Sequence, residues 1–559
     1  MTQSTVTALL TTFVIGLLTA CSNVSDTDQP PLTPAAETEV DVPPNVLIIV
    51  VDDLGFSDLG VLGGEIATPN LDALASDGLL LTNFFVGGTC SPTRSMLLSG
   101  VDHHLVGLGT MGEHIQTNQI GLPGYEGYLN DRAITISQRL KPVGYRTYIA
   151  GKWHLGMSEE TSPAARGFDK SFVLLNGGAG HFDQTGLHAR VDPAPYREDG
   201  LSVDLGEDFT YSSDFYTNKL IGYLEADKDE GTPFFAYLAY TAPHWPLQAP
   251  PEDIAKYQGR YDAGWQAIQA ERFERQKAMG LVSESAILPE IVTDWPAWET
   301  LDPETRAYEA KRMEVFAAMV DRTDQQIGLL IDYLKTSGQY DKTVIIFISD
   351  NGSEGAALQD IEPFVSWIPE FDPSLNALGT AESYAFLEER WAQVGDTPFA
   401  LFKGMASDGG SHVPAFITYG GFDRQAGRYD GILSVLDIAP TLLDLADLEE
   451  EQIDGVYPLQ GRSLVPLLNA EVETVRGDRD GIGYELFNKR YYRRGDWKVV
   501  HQHAPWGPDD WQLFNMAADP GETNDLSADY PELGAELIAA WQAHAERNGI
   551  VLGEGMPER

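Results

Sequence analysis

Residues Asn45 to Asp53 read NVLIIVVDD. The six residues after Asn45 form an unbroken apolar run rich in valine and isoleucine. This pattern is typical of a strand that is buried on both faces of a parallel or mixed sheet. Two carboxylates, Asp52 and Asp53, follow the run directly. The stretch therefore predicts an α/β protein in which polar groups stand at the carboxyl end of a central strand.

Three more apolar runs have polar residues at an end. One of these runs, Thr343–Ser349, is followed by two oxygen ligands, as the first strand is. A helical segment from Pro303 to Lys335, with an apolar stripe that should face the core, separates it from the run Phe234–Tyr240. Repetition at equivalent positions favours one shared site over unrelated turns and helix caps. The runs are Thr343–Ser349, followed by Asp350 and Asn351; Phe234–Tyr240, followed by His244; and Pro414–Tyr419, preceded by Gly409, Gly410 and, further back, Lys403.

The oxygen ligands at these strand ends predict a cation site. Asp52, Asp53 and Asp350 supply carboxylates, and Asn351 supplies an amide oxygen. Such hard ligands favour Ca²⁺ or Mg²⁺ over zinc, because the set contains no thiolate. We therefore expect a divalent cation at the carboxyl edge of the sheet.

The composition limits the classes of protein that fit. The chain has 559 residues, with 37 Lys and Arg against 84 Asp and Glu, so its formal net charge is −47. A polyphosphate would be repelled by this field, so no nucleic-acid partner is expected. The 43% of hydrophobic residues supplies large cores and excludes a mostly disordered chain. Two cysteines, Cys21 and Cys90, cannot build a disulfide framework.

The first 44 residues predict export rather than fold. The run from Val6 to Leu18 is apolar or small and is shorter than a membrane span, which is typical of a signal peptide over residues 1–20. Its end, L-T-A-C, resembles the bacterial lipobox and implies a lipidated Cys21, although simple cleavage nearby stays open. Residues 21–44, acidic and rich in proline, predict a solvated tether. Since Ser22 follows the cysteine, we expect a periplasmic or cell-surface protein tethered to the outer membrane.

One short motif carries distinctive chemistry. Residues Cys90 to Arg94 read C-S-P-T-R. A cysteine near an arginine is also found in cysteine phosphatases and proteases, but this spacing lacks the five-residue phosphate cradle of the phosphatases. The motif resembles the C-x-P-x-R signature of the type I sulfatases, whose cysteine is oxidised to formylglycine (3-oxoalanine). Ser99 stands where that signature usually has a threonine.

The resemblance to the sulfatases extends along the chain. Gly144 to Gly156, GYRTYIAGKWHLG, resembles a second signature, and a structural turn with a surface lysine is the alternative. Its Lys152 and His154 are two residues apart on an expected extended segment, so both should face one anion. The similarity is greatest to bacterial arylsulfatases. The remaining matches, in the family's order, are Asp52 and Asp53, His244, Asp350 and Asn351, and Lys403; His412 replaces a frequent arginine and is left outside the site.

The resemblance implies a fold and a division of the chain. Sulfatases have an alkaline-phosphatase-like fold, with a large mixed sheet flanked by helices and a smaller C-terminal α+β domain. We accordingly assign residues 45–479 to the catalytic domain and residues 480–559 to the C-terminal subdomain. Short strand patterns after Asp480 and an amphipathic segment from Pro531 to Arg547 agree with a small antiparallel sheet and a helix.

The resemblance also implies the reaction. Sulfate monoesters, aryl or other small organic sulfates, would be hydrolysed with one Ca²⁺ and a formylglycine formed from Cys90. The expected partner is a formylglycine-generating or an anaerobic sulfatase-maturating enzyme. In the family, one hydroxyl of the hydrated aldehyde attacks sulfur and the other later expels sulfate. The implied metal ligands are Asp52, Asp53, Asp350, Asn351 and the modified Cys90.

Each basic residue then has an implied role. Arg94 and His154 would orient the nucleophile, while Lys152 and Lys403 would hold sulfonate oxygens as point charges. Asp350 would accept a proton from the attacking hydroxyl. His244 would donate to the leaving oxygen.

Alternatives stay open at this point. A phosphonate monoester or phosphodiester hydrolase of the same fold would use the same nucleophile and metal. A lipoprotein that only binds sulfated polymers would leave Cys90 unoxidised. Oligosaccharide sulfates are also candidate substrates. The aromatic side chains of Trp153, Phe182 and Trp245 lie beside the site in sequence, where they could stack on a substrate ring or pack in the core.

Overall fold

The computed structural model describes residues 43–228 and 231–555. The expected signal peptide, Cys21 and nearly all of the tether lie outside this range. Seven residues, Asn45–Val51, form the first strand, and all seven are buried, as their apolar pattern predicts. No helix in the described part of the chain combines the length and apolar character that crossing a membrane requires.

The strands fall into a main sheet, a short pair and a C-terminal sheet. Numbered along the chain, they are β1 Asn45–Val51, β2 Leu79–Leu81, β3 Phe84–Phe85, β4 Arg146–Lys152, β5 Lys170–Leu174, β6 Tyr196–Glu198, β7 Leu201–Val203, β8 Phe234–Ala239, β9 Thr343–Ser349, β10 Ala415–Thr418, β11 Gly427–Tyr429, β12 Leu433–Ser434, β13 Ile482–Leu486, β14 Lys489–Arg494, β15 Trp497–His501 and β16 Trp511–Asn515.

The main sheet is mixed, as expected. Its order is β11-β2-β10-β9-β1-β8-β4-β5-β6-β7, and β3 pairs with β12 beside it. Strand β1 lies between β8 and β9 and runs parallel to both. Strand β10 runs antiparallel to β9. An antiparallel strand begins where its neighbour ends, so the segment before β10 reaches the edge at which β1 and β9 end.

The helices cover the sheet. The longest begins at Pro303, where the side chain of Asp302 accepts hydrogen bonds from two backbone amides of the first turn, and it ends one residue beyond the predicted Lys335. The helices are α1 Pro69–Asp77, α2 Cys90–Ser99, α3 Ile136–Leu140, α4 Ser212–Asp227, α5 Pro251–Ile254, α6 Trp265–Ala278, α7 Pro303–Thr336, α8 Phe364–Trp367, α9 Glu388–Gly395, α10 Asp408–Ser411, α11 Ile438–Leu445, α12 Val465–Leu468 and α13 Pro531–Asn548.

Two apolar cores lie on opposite faces of the main sheet. Leu47 and Ile49 of β1 belong to one core, which includes the buried face of α7. Ile48 and Val50 belong to the other core. This alternation follows from the two-residue period of a strand. Because both faces of β1 are covered by apolar side chains, polar residues stand only at its ends: Asn45 begins the strand, and Asp52 and Asp53 follow it.

The C-terminal strands form a separate antiparallel sheet in the order β13-β14-β15-β16. Helix α13 packs on it through Leu537 and Trp541, which are buried, whereas Leu533 and Ile538 are only partly buried. The described residues from Pro43 onward, this sheet included, form one compact unit. The boundary at residue 480 stays a prediction.

Candidate active site

The carboxyl edge of the main sheet gathers the predicted oxygen ligands. Asp52 and Asp53 directly follow β1, and Asp350 and Asn351 directly follow β9. All four residues are at most 1% exposed. Asp53 has a φ of 66°, a left-handed conformation that costs energy in a non-glycine residue. The amide of Asp53 donates to Asp350 Oδ1 at 3.3 Å, which joins the two strand ends.

These residues form a cluster that fits a hard dication. Ligand atoms of Asp52, Asp53, Asp350 and Cys90 all lie within 4.8 Å of one another. Asp53 Oδ2 and Asn351 Oδ1 are buried and accept no hydrogen bond from the described residues. Two orphaned buried oxygens are costly in a folded protein, and a cation would satisfy both.

The charge of the cluster points the same way. Arg94, Lys152 and Lys403 are its cations, and the carboxylates are the three clustered aspartates together with Glu354, which lies 3.0 Å from Lys403. When all four carboxylates are ionised, negative charges exceed positive charges by one in this region. A bound dication would reverse the sign and allow an anionic substrate to enter despite the acidic surface.

Each clustered aspartate pairs with one cation. Lys152 Nζ lies 2.6 Å from Asp52 Oδ2, and Lys403 Nζ lies 2.7 Å from Asp53 Oδ1. Arg94 contacts Asp350 Oδ2 through both Nε and Nη2, each at 2.8 Å, and also donates to the carbonyl of Lys152 at 3.0 Å. These ion pairs hold the carboxylate oxygens in place before a metal ion binds.

Cys90 stands at the first position of α2 and is 1% exposed. Its Sγ lies 3.3 Å from Asp52 Oδ1. Burial, followed by the charge of Asp52, raises the pKa of the Cys90 thiol well above its usual range. An activated thiolate is therefore disfavoured here, which argues against the chemistry of a cysteine phosphatase or protease.

Thr93 anchors the helix that carries Cys90. Its Oγ1 donates to the carbonyl of Asp350 at 2.6 Å and accepts from the amide of Gly87 at 2.8 Å. The start of α2 is thereby fixed against the end of β9. This contact holds Cys90 next to the aspartates of the predicted metal site.

Comparison with known proteins identifies this arrangement. A family model described as Sulfatase matches residues 44–448. The chain belongs to the sulfatase family. It is 40% identical over 530 residues to an uncharacterized sulfatase of Schizosaccharomyces pombe, covering 91% of this chain and 94% of the relative. An arylsulfatase of Klebsiella aerogenes is 36% identical over 444 residues, covering 78% and 95%.

A solved structure supports the fold of this sulfatase. The crystal structure of Ps i-CgsB in complex with k-i-k-neocarrahexaose superposes with a TM-score of 0.66 at 23% identity, covering 92% of this chain and 95% of that chain. The large mixed sheet with a small C-terminal sheet is therefore the sulfatase fold, as the sequence predicted. Membership of the family makes the protein a sulfuric ester hydrolase.

The side chains of His154 and His244 in this sulfatase pack against two consecutive glycines, Gly177 and Gly178. A Cβ at Gly177 would lie 3.0 Å from His154 Cε1, and one at Gly178 would lie 3.1 Å from His244 Nδ1. Burial, followed by the charge of Lys152, lowers the pKa of His154 well below its usual range. For His244, burial lowers the pKa and Asp53 opposes it. Both imidazoles are therefore held neutral in the absence of a ligand.

One step of the sequence reasoning was wrong. The segment from Lys152 to His154 was expected to be extended, so that alternation would point both side chains one way. Strand β4 ends at Lys152, and His154 has a left-handed φ of 57°. His154 therefore lies just beyond the end of the strand in a left-handed conformation, and its amide donates to the carbonyl of Leu175 at 3.2 Å.

The neighbouring aspartates of the sulfatase differ in proton affinity. Burial and the charge of Asp350 raise the pKa of Asp52 to about 7, although Lys152 opposes this shift. Burial also acts to raise the pKa of Asp53, but nearby positive charge, that of Lys403 first, outweighs it and lowers that pKa to about 2. Cations around Asp53 thus keep it ionised and ready to bind a metal.

Some residues near the site were missed by sequence reasoning. Glu354, which pairs with Lys403, follows β9 by five positions and lacked a motif to mark it. Asn176 is 8% exposed, and neither polar atom of its amide has a partner among the described residues. Its place beside Gly177 brings it near the histidines, and the Asn-Gly-Gly sequence was the available signal.

His412, which the sequence left outside the site, is engaged in packing. Its ring stacks on Phe399 with centroids 4.1 Å apart, and its nitrogens contact Asp408 at 3.1 Å and the carbonyl of Thr82 at 2.6 Å. Trp153 is fully buried in the core. Trp245 is 6% exposed, and its ring lies 4.6 Å from that of His244.

Proposed function

We propose that this sulfatase hydrolyses small organic sulfate esters, with aryl sulfates as the favoured class, by means of a formylglycine derived from Cys90 and one bound Ca²⁺. The observation that carries the proposal is the position of Cys90. Cys90 is the first residue of α2 and lies among buried carboxylates and cationic side chains. The partnerless oxygens Asp53 Oδ2 and Asn351 Oδ1, which fit a hard cation, belong to the same site. Apart from Cys90 itself, the ligand atoms of this described cluster are carboxylate oxygens.

The two groups supply the chemistry that side chains lack. When present, hydrated formylglycine provides a geminal-diol nucleophile, and Ca²⁺ neutralises charge on the sulfonate oxygens. Asp350 is the base that accepts a proton from the nucleophile, and Arg94 holds that carboxylate at 2.8 Å. Lys152 and Lys403 exchange part of their contact with Asp52 and Asp53 for contact with sulfonate oxygens.

His244 is suited to protonate the leaving oxygen. Its Nδ1 lies 2.7 Å from the carbonyl of Trp245, which can only accept, so Nδ1 carries a hydrogen. Nε2 is then the atom that exchanges a proton, and it lies 3.7 Å from Asp53 Oδ2. That carboxylate stabilises the protonated imidazole before it delivers its proton to the leaving group.

An aromatic wall next to His244 favours an aryl leaving group. Trp245 belongs to a cluster of buried aromatic residues, and the ring centroids of Trp245 and Phe386 are 4.9 Å apart. A phenol that takes its proton from His244 could stack against these aromatic rings, whereas an aliphatic alcohol would gain less stacking energy. The name of the Klebsiella aerogenes relative, an arylsulfatase, agrees with this class.

The first test is the mass of the peptide that contains Cys90, taken from protein made in its natural host. Conversion of the thiol to the aldehyde removes about 18 Da before hydration. We expect this loss together with turnover of an aryl sulfate. An intact thiol with no turnover would overturn the proposal in favour of a protein that only binds sulfated polymers.

A second measurement separates the related enzyme activities. The same matured protein is assayed with an aryl sulfate, a matched aryl phosphodiester and an aryl phosphonate monoester. We expect the highest kcat/KM for the sulfate. A higher kcat/KM for either phosphorus ester would make the protein a phosphonate monoester or phosphodiester hydrolase.

Export and maturation complete the proposal. We propose that the chain is exported, lipidated at Cys21 and tethered to the outer membrane, after a formylglycine-generating or anaerobic sulfatase-maturating enzyme has oxidised Cys90. The apolar run from Val6 to Leu18 and the L-T-A-C sequence support export. Fractionation of the host should find the lipidated wild type in the membrane fraction. A Cys21→Ala variant should lack the lipid. Wild-type protein in the cytoplasmic fraction would contradict the proposal.

A further inference from the structure

A second cluster of metal-binding side chains lies in the C-terminal sheet. His501 ends β15, and His503 and Asp509 lie in the loop that leads to β16. One ring nitrogen from each histidine and one carboxylate oxygen of Asp509 all lie within 4.8 Å of one another. The loop is not part of the active-site cluster, and no motif of the sequence analysis covers it.

His503 is oriented as a metal ligand would be. Its Nε2 lies 3.2 Å from the backbone carbonyl of Asn488, which can only accept a hydrogen bond, so Nε2 carries the hydrogen. The other nitrogen, Nδ1, lies 2.5 Å from Asp509 Oδ1. An imidazole that donates one N–H to a carbonyl and turns its other nitrogen to the site has the usual outer contact of a metal-binding histidine.

His501 supplies an independent observation. The residue is 8% exposed, and its Nδ1 is buried with no hydrogen-bond partner among the described residues. A buried nitrogen without a partner destabilises the fold unless a ligand meets it. The rings of His501 and His503 have centroids 5.2 Å apart, so this partnerless nitrogen belongs to a ring that lies beside the other proposed ligand.

We propose that His501, His503 and Asp509 bind a transition-metal dication of the Zn²⁺ type, with water as the remaining ligand. Two imidazoles and one carboxylate suit zinc better than calcium, whose ligands are oxygens. On binding, the metal replaces the proton shared between His503 and Asp509. That proton is released to solvent, and no redox change is involved.

The metal would fix a loop that supports the active site. Trp506 of this loop lies 5.0 Å from the ring of Phe402, the residue before Lys403. Gln502 accepts a hydrogen bond at 2.9 Å from the amide of Ala406, on the other side of Lys403. Ordering of residues 502–510 would therefore steady the segment that carries Lys403. The metal itself takes no part in the reaction.

The test measures zinc binding in the full chain. Protein is equilibrated with ZnCl₂ in excess Ca²⁺, which fills the oxygen-rich active site, and is then desalted for elemental analysis. We expect one zinc per chain in the wild type. His503→Gln and Asp509→Asn should each weaken zinc binding by at least about 10-fold. His188→Gln, which changes a histidine in a different loop, should bind zinc as the wild type does.

Two further readouts separate a real site from binding elsewhere. Co²⁺ in place of zinc should give visible absorption bands of a four-coordinate site, and these should be absent in His503→Gln. Titration calorimetry in buffers of different ionisation enthalpy should find a proton released on binding. The proposal is overturned if no zinc remains in excess Ca²⁺, or if the loop variants retain as much zinc as the wild type.

Discussion

Lys403 Nζ lies 2.7 Å from Asp53 Oδ1, although 350 positions separate the two residues along the chain. Asp53 follows the central strand β1, whereas Lys403 precedes β10, which runs antiparallel to β9. The bond is buried, with Lys403 8% exposed and Asp53 1% exposed. It joins the first and last segments that contribute to the active site, so its loss should affect both stability and catalysis.

Replacement of Lys403 tests this link. In Lys403→Met, the Asp53 carboxylate loses its nearest cation, and breaking a buried ion pair by removing one partner costs about 3–5 kcal/mol. Loss of a preorganised cation should also lower kcat/KM for an aryl sulfate by roughly 10²–10³-fold. Thermal unfolding and steady-state kinetics measure the two effects.

A surface pair provides the matched control. Lys170 lies 2.8 Å from Asp199, but both side chains are largely exposed. Exposed pairs contribute about 0–1 kcal/mol, so Lys170→Met should change neither the melting temperature nor kcat/KM appreciably. Equal effects of the two substitutions would contradict the role assigned to Lys403.

Removal of the nucleophile precursor should abolish activity and leave the fold intact. The side-chain hydrogen bond of Cys90 is the one from Sγ to Asp52 at 3.3 Å, so Cys90→Ala removes little packing. We expect kcat to fall by roughly 10³-fold or more, because loss of a covalent nucleophile has this effect in other hydrolases. Ser91→Ala, at the next buried position of α2, serves as the control for the effects of substitution on the helix. Full activity in Cys90→Ala would rule out a nucleophile at this position.

Calcium should stabilise the protein as well as activate it. The orphaned oxygens of Asp53 and Asn351 gain a partner when the metal binds, so chelation should lower both the melting temperature and the rate. Each tenfold rise in free Ca²⁺ above the dissociation constant should then add about 1.4 kcal/mol to the free energy of unfolding. Asn351→Leu should lose most of this gain. An unchanged melting temperature after chelation and calcium addition would argue against the metal site.

The sequence was sufficient to predict the fold class. The structure places Asp52, Asp53, Cys90 and Asp350 in one cluster, while the roles assigned to them stay predictions. Asp52 and Asp350 could be found because each directly follows a run of buried residues, and parallel neighbours end at one edge. Lys403 was noted because it precedes an apolar run, but its role in the site came only from the resemblance, since its position depends on the direction of β10. Direction of pairing is a long-range property that local patterns do not contain.

Other features could not be predicted because they arise only on folding. Glu354 has no sequence pattern, and its role depends on the 3.0 Å contact with Lys403. The left-handed conformation of His154 just after β4 replaces the expected extended segment, and the local sequence pattern does not indicate it. The orphaned amide of Asn176 likewise becomes apparent only from its buried surroundings.

A buried histidine links the main body to the C-terminal sheet. His104 Nδ1 lies 2.8 Å from Asp102, and its Nε2 lies 2.8 Å from Glu485 of β13. Burial alone would lower its pKa, but the two carboxylates outweigh burial and raise the pKa from 6.5 to about 9. The other titratable groups near His104 and its two carboxylates are His103, His544 and Tyr125.

The pH dependence of stability follows from that shift. The folded state binds the His104 proton more tightly than the unfolded state, so the contribution is complete below pH 6.5 and is lost as the pH rises towards 9. The loss is on the order of 3 kcal/mol by the usual conversion of a pKa shift. Urea unfolding of the wild type at pH 6 and pH 9 should reveal this difference, and His104→Gln should unfold more easily at pH 6 with a smaller change between the two values. If the variant retains the whole wild-type pH dependence, another group is responsible and His104 does not carry its proton in the folded protein.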